Sequence, residues 1–194
     1  MMVKICGITN RDDAMAAVEA GASAIGFNFY RESPRYLSPS GASLIAEKIP
    51  ANVWKVGIFV SERAESISKI ALHVRLDVAQ LYGLSEARGI RVWRACRSDD
   101  DINSGLKDDR VEALLLDSPS EHEYGGTGRT FDWKRAKGLA KNTVIAGGLD
   151  ASNVHRAIEE ACPWGVDACS RLEKSPGLKD HEKMREFIKA ALQS

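Results

Sequence analysis

The feature that most constrains this chain is a repeated alternation: eight short apolar, β-branched runs, each followed by an amphipathic stretch or a helix-length connection. The runs cover residues 2–6, 24–29, 53–60, 76–81, 89–95, 111–116, 143–146 and 166–169. They are nearly continuous rather than strictly alternating, as in parallel strands covered on their outer face. Between them the helix signals recur. Asn10 caps a helix that ends at Gly21, with Asp12 and Asp13 complementing its positive end, and Ser38-Pro39 opens another with proline at its first position. Ser61 caps a helix through Leu72, a further one spans 99–106, and another starts at Phe131. Asp150 or Ser152 caps a helix to Cys162, and the closing helix runs over 179–192.

Eight such units predict an α/β architecture, a single-domain (β/α)8 barrel of the TIM type over residues 1–194. The length is at the low end for that fold, so the barrel is compact and its loops short. A doubly wound open sheet normally uses fewer strands and carries its phosphate loop after the first one, whereas the glycine-rich loops here come late.

Composition narrows the function. Lysine plus arginine number 27 against 27 aspartate plus glutamate, so no basic surplus exists to neutralise a nucleic-acid backbone. The four cysteines, at 6, 96, 162 and 169, form no C-x-x-C pair and no zinc-site spacing, so no metal is expected. The chain starts on an apolar run without the basic and long apolar regions of a signal peptide, and no stretch reaches the ~18 apolar residues of a membrane span. These readings predict a cytoplasmic protein with reduced thiols and no membrane partner; the oligomeric state stays open.

In a (β/α)8 barrel the chemistry gathers at the C-terminal strand ends, with phosphate at the late loops. The first strand ends at Cys6-Gly7, the loop after the second carries Arg35, and the fourth ends at Gln80-Leu81-Tyr82. The sixth ends at Asp117 and is followed by Gly125-Gly126-Thr127-Gly128; the seventh ends at Gly147-Gly148 and the eighth at Cys169-Ser170-Arg171. Glycine lets backbone N–H groups approach an anion, so Gly126, Gly128, Gly147 and Gly148 with Ser170 form a candidate phosphate cradle. Cys6 and Asp117, a thiol and a carboxylate on the same rim, suit a general base and a general acid. By residue type alone, Cys6 reads as a small buried hydrophobe and Asp117 as a cap. Their shared placement favours chemistry. Free cysteine titrates near ~8.5, so Cys6 needs a helix start or a cationic neighbour to ionise at neutral pH, and Asp117 needs burial to keep a proton. Arg35 can clamp a carboxylate bidentately, with Arg94 and Arg129 as secondary candidates. His73, His122, His155 and His181 read as structural or solvent-facing.

These residues resemble a known family. Lys4-Ile5-Cys6-Gly7-Ile8-Thr9, Gly26-Phe27-Asn28-Phe29 with Ser33-Pro34-Arg35, Lys55 through Val60, and Leu115-Leu116-Asp117-Ser118 are similar to phosphoribosylanthranilate isomerase. So are Gly125 to Gly128 with Phe131-Asp132-Trp133, Ala146 to Leu149 with Asn153-Val154, and Val166-Asp167 through Glu173 with Pro176 to Asp180. The resemblance implies an Amadori rearrangement of N-(5'-phosphoribosyl)anthranilate to 1-(2-carboxyphenylamino)-1-deoxyribulose 5-phosphate, a step of tryptophan biosynthesis. It implies Asp117 as general acid at the ring oxygen, Cys6 as general base at C2, and Arg35 on the anthranilate carboxylate. The late glycines and Ser170 would take the phosphate, and no cofactor is needed because the substrate nitrogen is the electron sink.

Two positions depart from the family pattern. Tyr82 follows Gln80-Leu81 where a histidine is usual, and a phenol can still donate a hydrogen bond. Cys169-Ser170-Arg171 stands where Ser-Ser-Gly is usual, and Arg171 is expected to add a cation at the phosphate. The rival readings are another phosphosugar isomerase or epimerase on the same barrel, and a non-catalytic or re-purposed phosphosugar-binding barrel.

Overall fold

The apolar runs become strands because each has two faces to bury, one toward a barrel axis and one toward helices. The computed structural model describes residues 1–83, 85–117 and 132–194. In it β1 (Met2–Ile5), β2 (Ala24–Asn28), β3 (Trp54–Phe59), β4 (Val78–Leu81), β5 (Arg91–Cys96), β6 (Val111–Leu116), β7 (Asn142–Ile145) and β8 (Gly165–Ala168) form a closed parallel barrel in sequence order. β1 closes on β8 with Lys4 opposite Asp167 and Ile5 opposite Ala168.

Successive side chains alternate between the two faces. Val56, Ile58, Val78, Trp93, Ala113, Leu115 and Val144 pack together as one cluster and fill the interior. Val3, Ile5, Phe27, Leu81, Leu114, Ile145 and Val166 join a second cluster with the helices. Trp54, Trp93 and Trp164 meet with ring centroids 5.7–5.9 Å apart. Trp54 opens β3, Trp164 immediately precedes β8 and Trp93 lies in the first half of β5, so the trio closes the barrel floor, opposite the rim that carries the candidate chemistry.

The helices follow the cap signals where the cap side chain is unoccupied. Asn10 accepts from the Asp13 N–H at the start of α1 (Arg11–Glu19), and Ser38 accepts from Gly41 N–H at α2 (Pro39–Ala46). Ser98 and Asp101 form a capping box at α4 (Asp99–Lys107). Elsewhere the capping expectations are corrected. Glu62 takes the N–H groups of Val60 and Ser61, so Ser61 ends the strand turn and α3 (Ala64–Val74) begins later, without a side-chain cap. Asp150 binds Ser152, and Asn153 is the residue that precedes α5 (Val154–Ala161).

Phe131 lies outside the described residues, and the helix expected from it is represented by a short 3-10 turn, Trp133–Ala136. Lys179 is not the first residue of the closing helix. It belongs to a small hairpin of β9 (Glu173–Ser175) and β10 (Leu178–Lys179), and Asp180 caps α6 (His181–Leu192). Among the described residues no helix is long and apolar enough to cross a membrane.

Candidate active site

Strand alternation turns the last inward residue of several strands onto one rim. Cys6, Arg35, Gln80, Tyr82, Asp117, Gly147, Gly148, Ser170 and Arg171 all line a single cavity there. Gly126 and Gly128 lie outside the described residues, as do Arg129 and His122. Arg94 is not in the lining; its guanidinium donates to the carbonyls of Gly83 and Ser85 and holds the loop after β4. His73 and His155 are exposed, and His181 pairs with Asp13 at 2.7 Å.

Cys6 sits one step beyond β1, and its N–H donates to Ala168 O at 3.0 Å. Room for it depends on Gly26, since a Cβ there would lie 3.0 Å from Cys6 Sγ and 3.1 Å from its Cα. Gly7, at φ +73°, lets the chain turn away at once, and a side chain there would strike Arg35 and Cys169. The neighbour of Cys6 is a second thiol. Cys6 and Cys169 line the same cavity, and Lys179 Nζ lies 3.7 Å from Cys169 Sγ. The thiol of Cys6, with Lys179 and Arg35 nearby, brings Cys169 down to about 7 against the effect of burial. The Cys169 sulfur and burial hold the Cys6 proton well above the usual thiol range. The help expected for Cys6 therefore falls on its partner: the pair gives up one proton readily and shares the other.

Asp117, just past β6, is buried and accepts a 3.2 Å hydrogen bond from the Tyr82 hydroxyl. The phenol thus supplies a hydrogen bond to the carboxyl group proposed as acid. Gln80 is also buried, and its Oε1 has no hydrogen-bond partner among the described residues, an acceptor open to a ligand in the cavity. Beneath Cys6, the fully buried Lys4 donates to Asp167 at 2.9 Å. Burial works against the Lys4 charge, but Asp167 and Cys6 together outweigh it and hold the ammonium above its ordinary range, while burial pushes Asp167 itself up to about 8.

Arg35 is half-committed. Its Nε and Nη2 donate to Glu173 at 2.9 and 2.8 Å, and Glu173 also accepts from Lys179 at 2.9 Å. The Nε edge is thereby used, and a substrate carboxylate would meet the Nη1/Nη2 end. Across the cavity Gly147 and Gly148 have φ of +81° and +65°, leaving bare backbone facing the ligand space. Asn153 ties this turn down through Gly148 O at 2.8 Å. Arg171 donates to Asp150 at 2.7 Å, so its charge is partly matched by the neighbouring loop.

Cys169, Glu173, Lys179, Asp167 and Lys4 belong to this site but were not selected from the sequence. The local signal for Cys169 was its place beside Ser170 at the end of the eighth strand. The strong period of the following helix hides the two-residue strand that carries Lys179.

Comparison with known proteins identifies the family. A family model described as N-(5'-phosphoribosyl)anthranilate (PRA) isomerase matches residues 3–190. The N-(5'-phosphoribosyl)anthranilate isomerase of Solibacter usitatus is 49% identical, covering 98% of this chain and 97% of its own length. Among solved structures, phosphoribosyl anthranilate isomerase from Thermotoga maritima superposes with a TM-score of 0.90 at 39% identity, with each chain fully covered. A phosphoribosyl anthranilate isomerase in complex with reduced 1-(o-carboxyphenylamino)-1-deoxyribulose 5-phosphate superposes at 0.84 with 35% identity, again with each chain fully covered.

Proposed function

Because the chain belongs to the N-(5'-phosphoribosyl)anthranilate isomerase family, we propose a residue-level mechanism in which Asp117 is the general acid and Cys6 the general base. The enzyme converts N-(5'-phosphoribosyl)anthranilate to 1-(2-carboxyphenylamino)-1-deoxyribulose 5-phosphate, a step of tryptophan biosynthesis. Asp117 protonates the furanose ring oxygen as the C1–O bond breaks, and the nitrogen lone pair forms the C1=N bond of a Schiff base. Tyr82 stabilises the carboxylate that is left. Cys6 then takes the C2 proton when the proton shared by the two sulfurs sits on Cys169, and the resulting enolamine tautomerises to the ketone.

Arg35, braced by Glu173, meets the anthranilate carboxylate with its outer end. Gly147, Gly148, Ser170 and Arg171 receive the phosphate, with Gly126 and Gly128 as further candidates that the family resemblance implies. The substrate's own nitrogen is the electron sink, so the scheme calls for no metal or cofactor. The whole chain, residues 1–194, acts as one domain, and the cytoplasm is its place.

The observation that carries this reading is the convergence of Cys6 and Asp117 on one cavity with Arg35 and the glycine turn. The test is turnover of freshly made phosphoribosylanthranilate with chelator present, followed by anthranilate fluorescence. The wild type should exceed spontaneous decay, and Cys6→Ala and Asp117→Asn should each lose at least ~100-fold. Folded wild type without turnover, or an unimpaired Cys6→Ala, would refute the assignment.

A further inference from the structure

The second thiol beside Cys6 has a consequence beyond proton sharing. Lys4 and Asp167 are opposite one another in the β1–β8 ladder, their side chains both inside the barrel and touching at 2.9 Å. Cys6 and Cys169 are the next inward pair along the same two strands, two residues on from each. Neighbouring strands run ~4.8 Å apart, inside the ~4.4–6.8 Å Cα window that a disulfide spans. Both cysteines are free and both line the open cavity, and a Cβ on Gly7, the residue after Cys6, would lie 2.8 Å from Cys169 Sγ. Gly26 leaves the space beside Cys6 Sγ empty of side chain. Lys179 at 3.7 Å favours a thiolate at Cys169, and the thiolate is the reactive form. Of the other cysteines, Cys96 is buried and Cys162 lies at the far end of α5, exposed.

We propose that Cys6 and Cys169 are a site of reversible modification, closing as a disulfide across the ends of β1 and β8 at the expense of a low-molecular-weight disulfide. The Cys169 thiolate attacks one sulfur of the oxidant, whose S–S bond breaks and releases a first thiolate. Cys6 then gives up its proton and attacks the Cys169 sulfur, expelling the second thiolate. Two electrons pass to the oxidant, and the two cysteine protons end on the two released thiols. Resting on the isomerase reading, the bond ties up the base at C2 and stops turnover.

The experiment incubates the full chain, carrying Cys162→Ser to remove the exposed thiol, in glutathione buffers of increasing oxidised fraction. Samples are alkylated, mapped by non-reducing peptide mass spectrometry and assayed. The expected result is a Cys6–Cys169 cross-linked peptide, a fall in turnover of at least ~100-fold, and full recovery with dithiothreitol. Cys169→Ser, or Cys169→Ala where the serine variant folds poorly, should keep the turnover of its own reduced form through the same treatment. Capture of Cys6 only as a mixed disulfide with glutathione would overturn the proposal, as would equal inactivation of the Cys169 variants. A cross-link in protein that has no turnover when reduced would uphold the disulfide and sink the isomerase mechanism instead.

Discussion

Replacing Tyr82 by phenylalanine removes one oxygen atom from the site and leaves the ring in place, packed near the Arg97 guanidinium at 5.8 Å. Among the described residues the interaction lost is the hydrogen bond to Asp117, 3.2 Å long between two buried side chains. A typical O–H···O bond is ~2.7–2.8 Å, so this one is stretched. Hydrogen bonds to charged groups contribute ~1.5–3 kcal/mol, and the stretched geometry places this bond at the lower end, about 1.5 kcal/mol. At ~1.4 kcal/mol per factor of ten, kcat should fall about tenfold. The loss belongs to kcat because Asp117 gains negative charge only as its proton leaves for the ring oxygen, after the substrate is bound. KM should therefore move by less than about twofold. Anthranilate fluorescence at saturating and sub-saturating substrate separates the two parameters. A tenfold rise in KM with unchanged kcat would place Tyr82 on the substrate rather than the acid. An unchanged kcat would show that the phenol does not serve proton transfer.

Three further outcomes follow from the same geometry. Lys4→Met leaves the Asp167 carboxylate buried without its cation and should cost about 3–5 kcal/mol, or roughly 6–20 °C in Tm; the double variant Lys4→Met/Asp167→Leu should recover much of it in urea unfolding. The pH profile of kcat/KM should rise through about 7 as the Cys6–Cys169 pair loses its first proton, because the doubly protonated pair has no base, and Cys169→Ser should move that limb to higher pH. Gly26→Ala places a methyl group 3.0 Å from Cys6 Sγ and 3.1 Å from Cys6 Cα, so stability should fall by ~1–3 kcal/mol and kcat by more than tenfold, read by urea unfolding and steady-state turnover.

What was legible in the sequence divides along chain distance. The eight runs declared themselves because a strand buried on both faces must be apolar nearly throughout, a property of eight consecutive residues or fewer. Cys6 and Asp117 could be chosen because a strand end is a local feature and the barrel assigns all such ends to one rim. The hairpin of Glu173–Ser175 with Leu178–Lys179 was missed because two- and three-residue strands are too short to show a period, while the following helix has a strong one. The charged framework was missed for a different reason. Arg35 meets Glu173 across 138 residues and Lys4 meets Asp167 across 163, and nothing near either member marks its partner.

Those pairings depend on the register in which the first strand closes on the last. Shifting it by one residue would turn Cys169 out of the barrel and leave Cys6 without its partner thiol. The protonation of Cys6 is therefore a property of barrel closure rather than of the Lys-Ile-Cys-Gly segment that carries it. A substitution at residue 169 should for the same reason be felt first in the chemistry of residue 6.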